Sequence, residues 1–244
     1  MRLQGQVAVV TGVSHRGQVG YALAAAFARE GALLAISARN AERVHAHAES
    51  LRAEGAKVIA IPADLTTEEG ATTLVQEALA AYGHINILVN LAGGLTTYGS
   101  PDELTLAKWE SELNNNLRTA FLCTRSVWPV MKRQGGGKIL NFSRAGGAQS
   151  ARPMTLAYNC AKAGIDALTA TFARAGKEFG IAVNAIGPGL IVTQANIESM
   201  KPTPQEIRAK WVGMENIVEA AIFLASAAGD GVNGVVLPVQ GKGI

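Results

Sequence analysis

The sequence predicts an α/β fold built on a doubly wound sheet of seven parallel strands. Three observations lead to this prediction: short apolar runs recur along the chain, longer helical patterns separate them, and glycine follows four of those patterns. Strands buried on both faces of a parallel sheet appear as continuous apolar runs, and alternating strands and helices favour right-handed crossovers. The predicted strands are Val7–Thr11, Leu33–Ser37, Lys57–Ile61, Ile87–Asn90, Lys138–Phe142, Ile181–Ala185 and Val235–Val239.

Helical patterns fill the intervals between these strands. They are Gly20–Glu30, Ala41–Glu54, Thr67–Ala80, Leu106–Gln134, Tyr158–Phe179 and Glu215–Ser226. Four are followed by a glycine that can form a left-handed cap, namely Gly31, Gly55, Gly83 and Gly180. Since no linker or repeat interrupts the alternation, we predict one domain over residues 1–244. Only the segment Thr193–Val212 breaks the pattern, and we expect a lid or substrate loop at about residues 193–212.

The composition limits the classes of protein to which the chain can belong. The 244 residues are 48% hydrophobic and 17% charged, which allows a sizeable core and argues against disorder. The net charge of +3 is spread along the chain, so we expect no nucleic-acid or membrane partner. No apolar stretch reaches the roughly 18 residues that a membrane span needs, and the N-terminus runs directly into a strand pattern. With two cysteines, both in helical patterns, we expect a reduced, cytoplasmic protein.

A glycine-containing loop, Thr11–Gly20, joins the first strand to the first helix. Backbone N–H groups in such a loop can bind a pyrophosphate at the helix N-terminus. Gly12 and Gly17 fit the first half of the G-x-x-x-x-G-K-[ST] motif of ATPases and GTPases. Gln18 and Val19 replace the residues of that motif that bind phosphate and Mg²⁺, so neither class is expected. The G-x-G-x-x-G fingerprint of dinucleotide-binding loops is matched only in its second half.

Tyr158 and Lys162 lie four residues apart at the start of an alanine-rich helical pattern. Residues at this spacing share one face of a helix. A free tyrosine has a pKa of about 10, and a nearby ammonium lowers that pKa by favouring the phenolate. The pair can therefore exchange a proton with a substrate oxygen. On spacing alone, an ordinary exposed contact is the more common meaning of such a pair.

Taken in chain order, these features resemble the short-chain dehydrogenase/reductase family from about Val7 to Gly243, with a glycine loop two residues longer. Asn90–Gly93 is similar to the family's Asn-Asn-Ala-Gly, with leucine in place of the second asparagine. Asn116 follows a tryptophan by seven residues, as the family's catalytic asparagine does. Asn184–Gly189 resembles the segment that holds the nicotinamide. The resemblance implies a Rossmann-like fold, NAD(P)(H), hydride transfer with a carbonyl or alcohol substrate, and a homodimer or homotetramer.

The resemblance also assigns roles to individual positions. The expected catalytic residues are Asn116, Ser143, Tyr158 and Lys162, and no metal is expected. The expected cofactor-binding residues are Gly12, Ser14, Arg16, Gly17, Val19, Gly20, Arg39, Asp64, Leu65, Asn90, Ala92, Gly93, Tyr158, Lys162, Pro188, Gly189, Ile191 and Thr193. Asp64 would contact the adenine ring, and Lys162 would hold the nicotinamide ribose.

The family's catalytic serine has two candidate positions here. Aligning the preceding strand places it on Arg144, whereas aligning the Ala-Gly that follows places it on Ser143, fifteen residues before Tyr158. A two-residue expansion of the loop Ala145–Pro153 would reconcile the two alignments, and we favour Ser143 as the catalytic serine. At Arg144 a guanidinium would still polarise a carbonyl, and it would favour substrates with an anionic group nearby.

The end of the second strand predicts the choice of cofactor. An acidic residue there binds the ribose 2′-hydroxyl of NAD, and a basic one suits the 2′-phosphate of NADP. Ala38 stands at the acidic position and Arg39 follows it, while Arg16 adds a second positive charge near the same corner. We therefore expect a preference for NADP(H), with NAD(H) as the alternative if Arg39 only stacks on the adenine.

Three functions remain open from the sequence. The favoured one is an NADPH-dependent reductase of carbonyl compounds such as 3-oxoacyl thioesters, with Tyr158 as the acid. Phe179 stands where many such reductases carry a basic residue, which weakens an acyl-carrier-protein partner. The second is an NAD(P)-dependent alcohol or polyol dehydrogenase. The third is a nucleotide-binding sensor with degraded catalysis.

Overall fold

The computed structural model describes residues 1–147 and 151–241. The strands there are β1 (Val7–Thr11), β2 (Leu33–Ala38), β3 (Val58–Pro62), β4 (Ile87–Asn90), β5 (Gly137–Phe142), β6 (Ile181–Pro188), β7 (Leu190–Ile191), β8 (Trp211–Val212) and β9 (Val236–Val239). Seven form one parallel sheet in the order β3-β2-β1-β4-β5-β6-β9, which confirms the predicted fold class. β7 and β8 form a separate two-stranded parallel sheet.

Helices cover both faces of the large sheet. They are α1 (Val19–Arg29), α2 (Ala41–Ala53), α3 (Glu68–Tyr82), α4 (Leu106–Leu113), α5 (Thr119–Gln134), α6 (Leu156–Gly176), α7 (Gln194–Met200), α8 (Pro204–Lys210) and α9 (Met214–Ala225). One apolar core lies between the sheet and α1, α2 and α9, and a second lies between the sheet and α3, α5 and α6. Among the residues that the structure describes, no helix is long and apolar enough to cross a membrane.

The strand order determines where a ligand can bind. β1 pairs with β2 on one side and with β4 on the other. The chain therefore leaves the carboxyl ends of β1 and β4 in opposite directions, and a crevice opens between them. The strand ends Thr11, Ala38, Pro62 and Asn90 bring their loops together at this edge of the sheet.

The predicted helix Leu106–Gln134 is not continuous. α4 and α5 are separated by a π-helical turn, Asn114–Arg118, which contains the predicted catalytic asparagine. Wider turns of this kind are often found at functional sites. β6 is three residues longer than predicted, because Gly187 and Pro188 continue the pairing with β9.

The segment predicted as a lid has secondary structure of its own. Thr193 is buried and caps α7, accepting a hydrogen bond from the Asn196 N–H at 3.2 Å. Thr203 and Glu206 form a capping box at the start of α8. Most side chains of both short helices are exposed, whereas Trp211 at the end of the segment is buried.

Candidate active site

An open cleft lies at the carboxyl ends of β1, β2, β3 and β4, with an empty volume of about 660 Å³. Its lining residues are Gly12, Ser14, Ala38, Arg39, Ala63, Asp64, Leu65, Thr66, Ala92, Gly93, Thr96, Asn115 and Thr119. Seven of the predicted cofactor-binding residues are among them, drawn from four separate loops.

The floor of the cleft has no room for larger side chains. Gly12 has a φ of +77°, and a Cβ there would lie 2.9 Å from the Ala92 nitrogen. A Cβ on Gly20 would lie 2.5 Å from the Gly12 carbonyl oxygen. The Thr11 hydroxyl accepts hydrogen bonds from the N–H groups of Leu91 and Ala92 at 3.0 Å, which holds the β4 loop against the glycine loop. Such a tight backbone cradle fits the close approach of a dinucleotide.

The outer corner of the cleft carries one base and one acid. Arg39 is exposed and lines the cleft directly after Ala38. Asp64 accepts hydrogen bonds from the Thr66 hydroxyl at 2.8 Å and its N–H at 3.0 Å. These bonds, with a smaller contribution from Arg39, hold the pKa of the Asp64 carboxyl below its usual value. The acid therefore stays ionised beside the predicted adenine position.

Arg16 does not share this corner with Arg39. Its guanidinium lies 3.7 Å from the Glu54 carboxylate and 5.5 Å from the ring centroid of Tyr21. Because Glu54 follows the far end of α2, the side chain leads away from the cleft, whose lining within the described chain does not include it. Placing Arg16 beside the 2′-phosphate was therefore an expectation that this geometry does not support.

Asn90 is directed into the protein interior. Its side-chain amide donates to the Asn141 Oδ1 at 2.9 Å and to the Thr124 hydroxyl at 3.0 Å. The side chain thus braces β4 against β5 and α5 and does not point into the cleft. Of the other residues predicted to bind the cofactor, Leu65 and Ser14 line the cleft, whereas Val19 is buried in α1.

The predicted nicotinamide segment follows β6. Pro188 ends that strand, and the Gly189 N–H donates to the Val239 carbonyl at 2.9 Å. Ile191 lies in β7, and the Thr193 hydroxyl is occupied in capping α7. The segment is therefore held by backbone pairing on the β6 side of the sheet.

Asn116 holds the loop after β4 in place. Its Oδ1 accepts from the Gly94 N–H at 3.0 Å, and its Nδ2 donates to the Gly94 carbonyl at 3.0 Å. The same Nδ2 donates to the Glu112 carbonyl at 3.0 Å, across the π-helical turn. A Cβ on Gly93 would lie 2.6 Å from the Asn116 Oδ1, so the loop is packed tightly against this amide.

Tyr158 and Lys162 share one face of α6, as their spacing predicts. The Lys162 Nζ lies 5.4 Å from the centroid of the Tyr158 ring and donates to the Phe142 carbonyl at 2.7 Å. Burial raises the pKa of Tyr158 to about 12, against an opposing effect of Arg144, and the expected lowering of this pKa by the Lys162 ammonium is not found. Burial also lowers the pKa of Lys162 to about 8, against the opposing effect of Glu112 and Asp166.

The hydroxyl of Ser143, the expected catalytic serine, is hydrogen-bonded to α6. It donates to the carboxylate of Asp166, one helical turn beyond Lys162, and lies 3.5 Å from the Lys162 carbonyl oxygen. A hydroxyl has one proton, and here that proton is directed at α6. The expanded loop Ala145–Pro153, on which the alignment of Ser143 depended, includes residues 148–150, which lie outside the described residues.

The charge of Arg144 acts on Tyr158. This residue lies half-buried directly after β5, and the backbone hydrogen bonds of its neighbours Ser143 and Ala145 continue the pairing with β6. Its Nη1 donates to the Gly147 carbonyl at 2.9 Å. The guanidinium lowers the pKa of the Tyr158 phenol, although by less than burial raises it.

Two buried or half-buried acids near this pair were not predicted. Asp166 lies four residues after Lys162, and Glu112 lies four residues before Asn116. The same helical spacing that identified Tyr158 and Lys162 could have found both. Burial raises the pKa of Asp166, and Glu112 is fully buried.

Comparisons with known proteins show which family this chain is similar to. A family model described as short chain dehydrogenase matches residues 6–203. Glucose 1-dehydrogenase 2 of Bacillus subtilis is 30% identical over 98% of this chain and 95% of its own length. The 3-oxoacyl-[acyl-carrier-protein] reductase FabG of Staphylococcus epidermidis is 32% identical over 96% of this chain and 97% of its own length. The crystal structure of gox2181 superposes with a TM-score of 0.92 at 27% identity, covering 99% of this chain and 96% of that one.

Proposed function

Because the chain belongs to the short-chain dehydrogenase family, we propose that it reduces a carbonyl compound to an alcohol with NADPH, using Tyr158 as the proton donor. The observation that carries this proposal is the pairing of Tyr158 with Lys162 on one face of α6, where the Lys162 Nζ lies 5.4 Å from the centroid of the Tyr158 ring. A phenol with a pKa of about 12 remains protonated at neutral pH. It is therefore ready to act as an acid, which is the state that reduction requires.

The residues of the chain bind, orient and protonate, while a bound nicotinamide supplies the hydride. Gly12, Gly20 and Asp64 would hold the dinucleotide at the glycine loop and the adenine corner. The Tyr158 hydroxyl transfers its proton to the substrate oxygen as negative charge develops there. The phenolate that remains is stabilised by the neighbouring Lys162 ammonium.

The preference for NADPH rests on Arg39. Its guanidinium lines the cleft after a strand that ends in Ala38, so no carboxylate opposes a 2′-phosphate at that position. Arginine binds phosphate through paired, charge-assisted hydrogen bonds. The nearby Asp64 carboxylate stays ionised and is held by hydrogen bonds from Thr66, while Arg39 is the basic residue in the cleft lining.

We assign the polarisation of the substrate oxygen to Arg144 rather than to Ser143. The Ser143 proton is used by Asp166, whereas Arg144 acts electrostatically on the Tyr158 phenol. A guanidinium also binds carboxylates in a bidentate manner. The favoured substrates are therefore oxo compounds that carry an anionic group close to the carbonyl.

Two substrate classes have support from the relatives. Similarity to FabG favours a 3-oxoacyl thioester and hence reduction. Similarity to glucose 1-dehydrogenase 2 favours the alternative, oxidation of a sugar or another polyol. The Lys132 ammonium lies 3.7 Å from the centroid of the Phe179 ring. A basic group is therefore present close to the position at which many 3-oxoacyl reductases carry a basic residue and this chain carries Phe179.

Steady-state kinetics with matched substrates tests the proposal. The substrates are a 3-oxoacyl thioester, a 2-oxo acid, the methyl ester of that acid and a neutral polyol, each with both cofactors. We expect NADPH to exceed NADH by at least about tenfold in kcat/KM, and the acid to exceed its ester by a similar factor. Turnover of the polyol with NAD alone would favour the dehydrogenase. Tight NADPH binding without turnover of any substrate would favour a sensor.

We further propose that a second copy of the chain covers α4 and α5. A surface groove there is lined by Leu113, Leu117, Phe121 and Leu168, and the Phe121 side chain is exposed. Exposed apolar patches of this kind mark interaction surfaces. Sedimentation of the wild type should give a dimer or tetramer, and Phe121→Glu should shift it to smaller species.

A further inference from the structure

Glu112 is a fully buried carboxylate next to the catalytic residues, with no role in the proton transfer described above. Its Oε2 accepts from the Thr96 hydroxyl at 2.6 Å, and both of its oxygens accept from the Thr96 N–H, at 3.1 and 3.2 Å. Its Oε1 also accepts from the Asn116 Nδ2 at 3.2 Å. Since buried carboxylates are costly unless their oxygens are satisfied, four such contacts indicate a built position.

These contacts fix the loop that forms one wall of the cleft. Asn116 binds both backbone groups of Gly94, and Glu112 binds both donors of Thr96. Gly93 and Thr96 line the cleft. Glu112 and Asn116 together therefore hold the segment Gly93–Thr96 against α4 and the π-helical turn.

The Glu112 carboxylate, held by Thr96 and Asn116, is one of the charges that act on the Tyr158–Lys162 pair. Lys162 is buried, and its Nζ donates to a neutral carbonyl at 2.7 Å. The acids that raise the pKa of Lys162 are Glu112 on α4 and, with a smaller effect, Asp166 on α6. Glu112 also raises the pKa of Tyr158, and Arg144 lowers it. These are the charged groups that bear on the pair from the surrounding elements.

We propose that Glu112 is a positioning residue for the hydride-transfer reaction. Its carboxylate fixes the segment Gly93–Thr96 and supplies the negative charge that keeps the buried Lys162 protonated. This inference rests on the proposed function for its consequence in catalysis, but its effect on Lys162 belongs to the resting protein. Without the carboxylate, Lys162 loses its proton at a lower pH and no longer stabilises the Tyr158 phenolate.

The first test measures Lys162 directly, without any substrate. In protein labelled with ¹³Cε-lysine, NMR titration follows each ammonium, and Lys162→Ala identifies the Lys162 resonance by its loss. In the wild type the midpoint is expected near pH 8. Glu112→Gln should lower it by at least about half a pH unit, since a neighbouring opposite charge shifts a pKa by roughly one unit or more.

Two matched variants separate charge from packing. Asp166→Asn removes the other acid and should lower the Lys162 midpoint by less than Glu112→Gln does. Thr96→Val removes a hydrogen bond to Glu112 but keeps its charge, so the midpoint should stay within about 0.2 pH units of the wild type. An unmoved midpoint in Glu112→Gln, or an equal shift in Thr96→Val, would overturn the proposal.

If Glu112→Gln does not fold, Glu112→Asp replaces it. This variant keeps the charge one methylene further from Thr96, so the Lys162 midpoint should remain closer to wild type than in Asp166→Asn. A midpoint lower than that of Asp166→Asn would refute the electrostatic role.

The second test uses the enzyme reaction. In Glu112→Gln, the alkaline limb of the kcat/KM profile should move to lower pH. In Thr96→Val, that limb should remain in place, while KM should rise severalfold. A shift seen by NMR together with an unchanged limb would refute the catalytic role. An absence of turnover in the wild type would count against the proposed function while leaving the NMR result intact.

Discussion

The hydroxyl of Ser143 donates its hydrogen bond to the carboxylate of Asp166. This contact ties the end of β5 to the face of α6 that also carries Tyr158 and Lys162. The contact changes the roles expected of Ser143 and Arg144. Ser143 positions the half-buried carboxylate of Asp166. Arg144 becomes the candidate for contact with the substrate oxygen.

Ser143→Ala and Arg144→Met should therefore have unequal effects. We expect Ser143→Ala to reduce kcat/KM by less than about tenfold and to cost about 1 kcal/mol of unfolding free energy, the value of one hydrogen bond. Arg144→Met should reduce kcat about 100-fold or more, as loss of an oxyanion-binding donor does. Steady-state kinetics and denaturant unfolding measure both. The reverse order of effects would restore Ser143 to the catalytic position.

Replacing Tyr158 by phenylalanine tests the proton donor. The change removes one oxygen from a half-buried ring, so the fold should persist. Loss of a general acid lowers turnover by about 100- to 10,000-fold. Binding of NADPH, followed by quenching of tryptophan fluorescence, should change less than about threefold, because the glycine loop and Arg39 remain. Normal turnover in Tyr158→Phe would remove the central residue from the mechanism.

Arg39 and Arg16 form a matched pair for the cofactor. Arg39→Ala should weaken NADPH binding about tenfold or more, since a charge-assisted hydrogen bond contributes about 1.5–3 kcal/mol. NADH binding should be almost unchanged. Arg16→Ala should leave both affinities within about twofold, because that side chain contacts Glu54 and Tyr21. Equal losses in the two variants would show that Arg16 reaches the cofactor after all.

The sequence predicted the sheet well because its strands are buried on both faces and therefore continuously apolar. It predicted Tyr158 and Lys162 because helical spacing places them together. It could not place Ser143 and Arg144, since a one-residue shift along an extended chain exchanges the directions of neighbouring side chains. The sequence did not predict Glu112 as a buried residue of the site, because the polar residues around it suggest an exposed helix face. The π-helical turn at Asn116 changes backbone hydrogen bonds without changing the polar pattern.

The glycine loop offers a test in which backbone strain is matched. Gly12 and Gly55 both have positive φ, but a Cβ on Gly12 would meet Ala92 at 2.9 Å, whereas a Cβ on Gly55 meets nothing within 4 Å. Gly55→Ala should therefore cost only the left-handed strain of about 1–2 kcal/mol and leave NADPH binding unchanged. Gly12→Ala should cost more and weaken NADPH binding about 100-fold, because the two loops must separate. Thermal unfolding and NADPH titration compare the two variants.

The buried ammonium of Lys162 predicts an unusual dependence of stability on pH. Its pKa is about 8 in the folded chain and 10.5 as a free side chain, so the unfolded chain binds more protons between these values. Stability should therefore rise with pH in this window, by about 2 kcal/mol between pH 7.5 and 9.5. Tyr158 opposes this only above about pH 10, because its folded pKa is raised and the unfolded chain then releases its proton first.

Lys162→Met removes the group and should flatten this rise, while Lys57→Met, at an exposed lysine, should retain it. Denaturant unfolding at several pH values measures the slope for all three proteins. At pH 7.5, where most wild-type molecules bury a protonated Lys162, Lys162→Met should also be more stable than the wild type. A wild-type stability that stays flat from pH 7.5 to 9.5 would mean that Lys162 keeps its proton throughout. The carboxylates of Glu112 and Asp166 would then outweigh the effect of burial on its pKa.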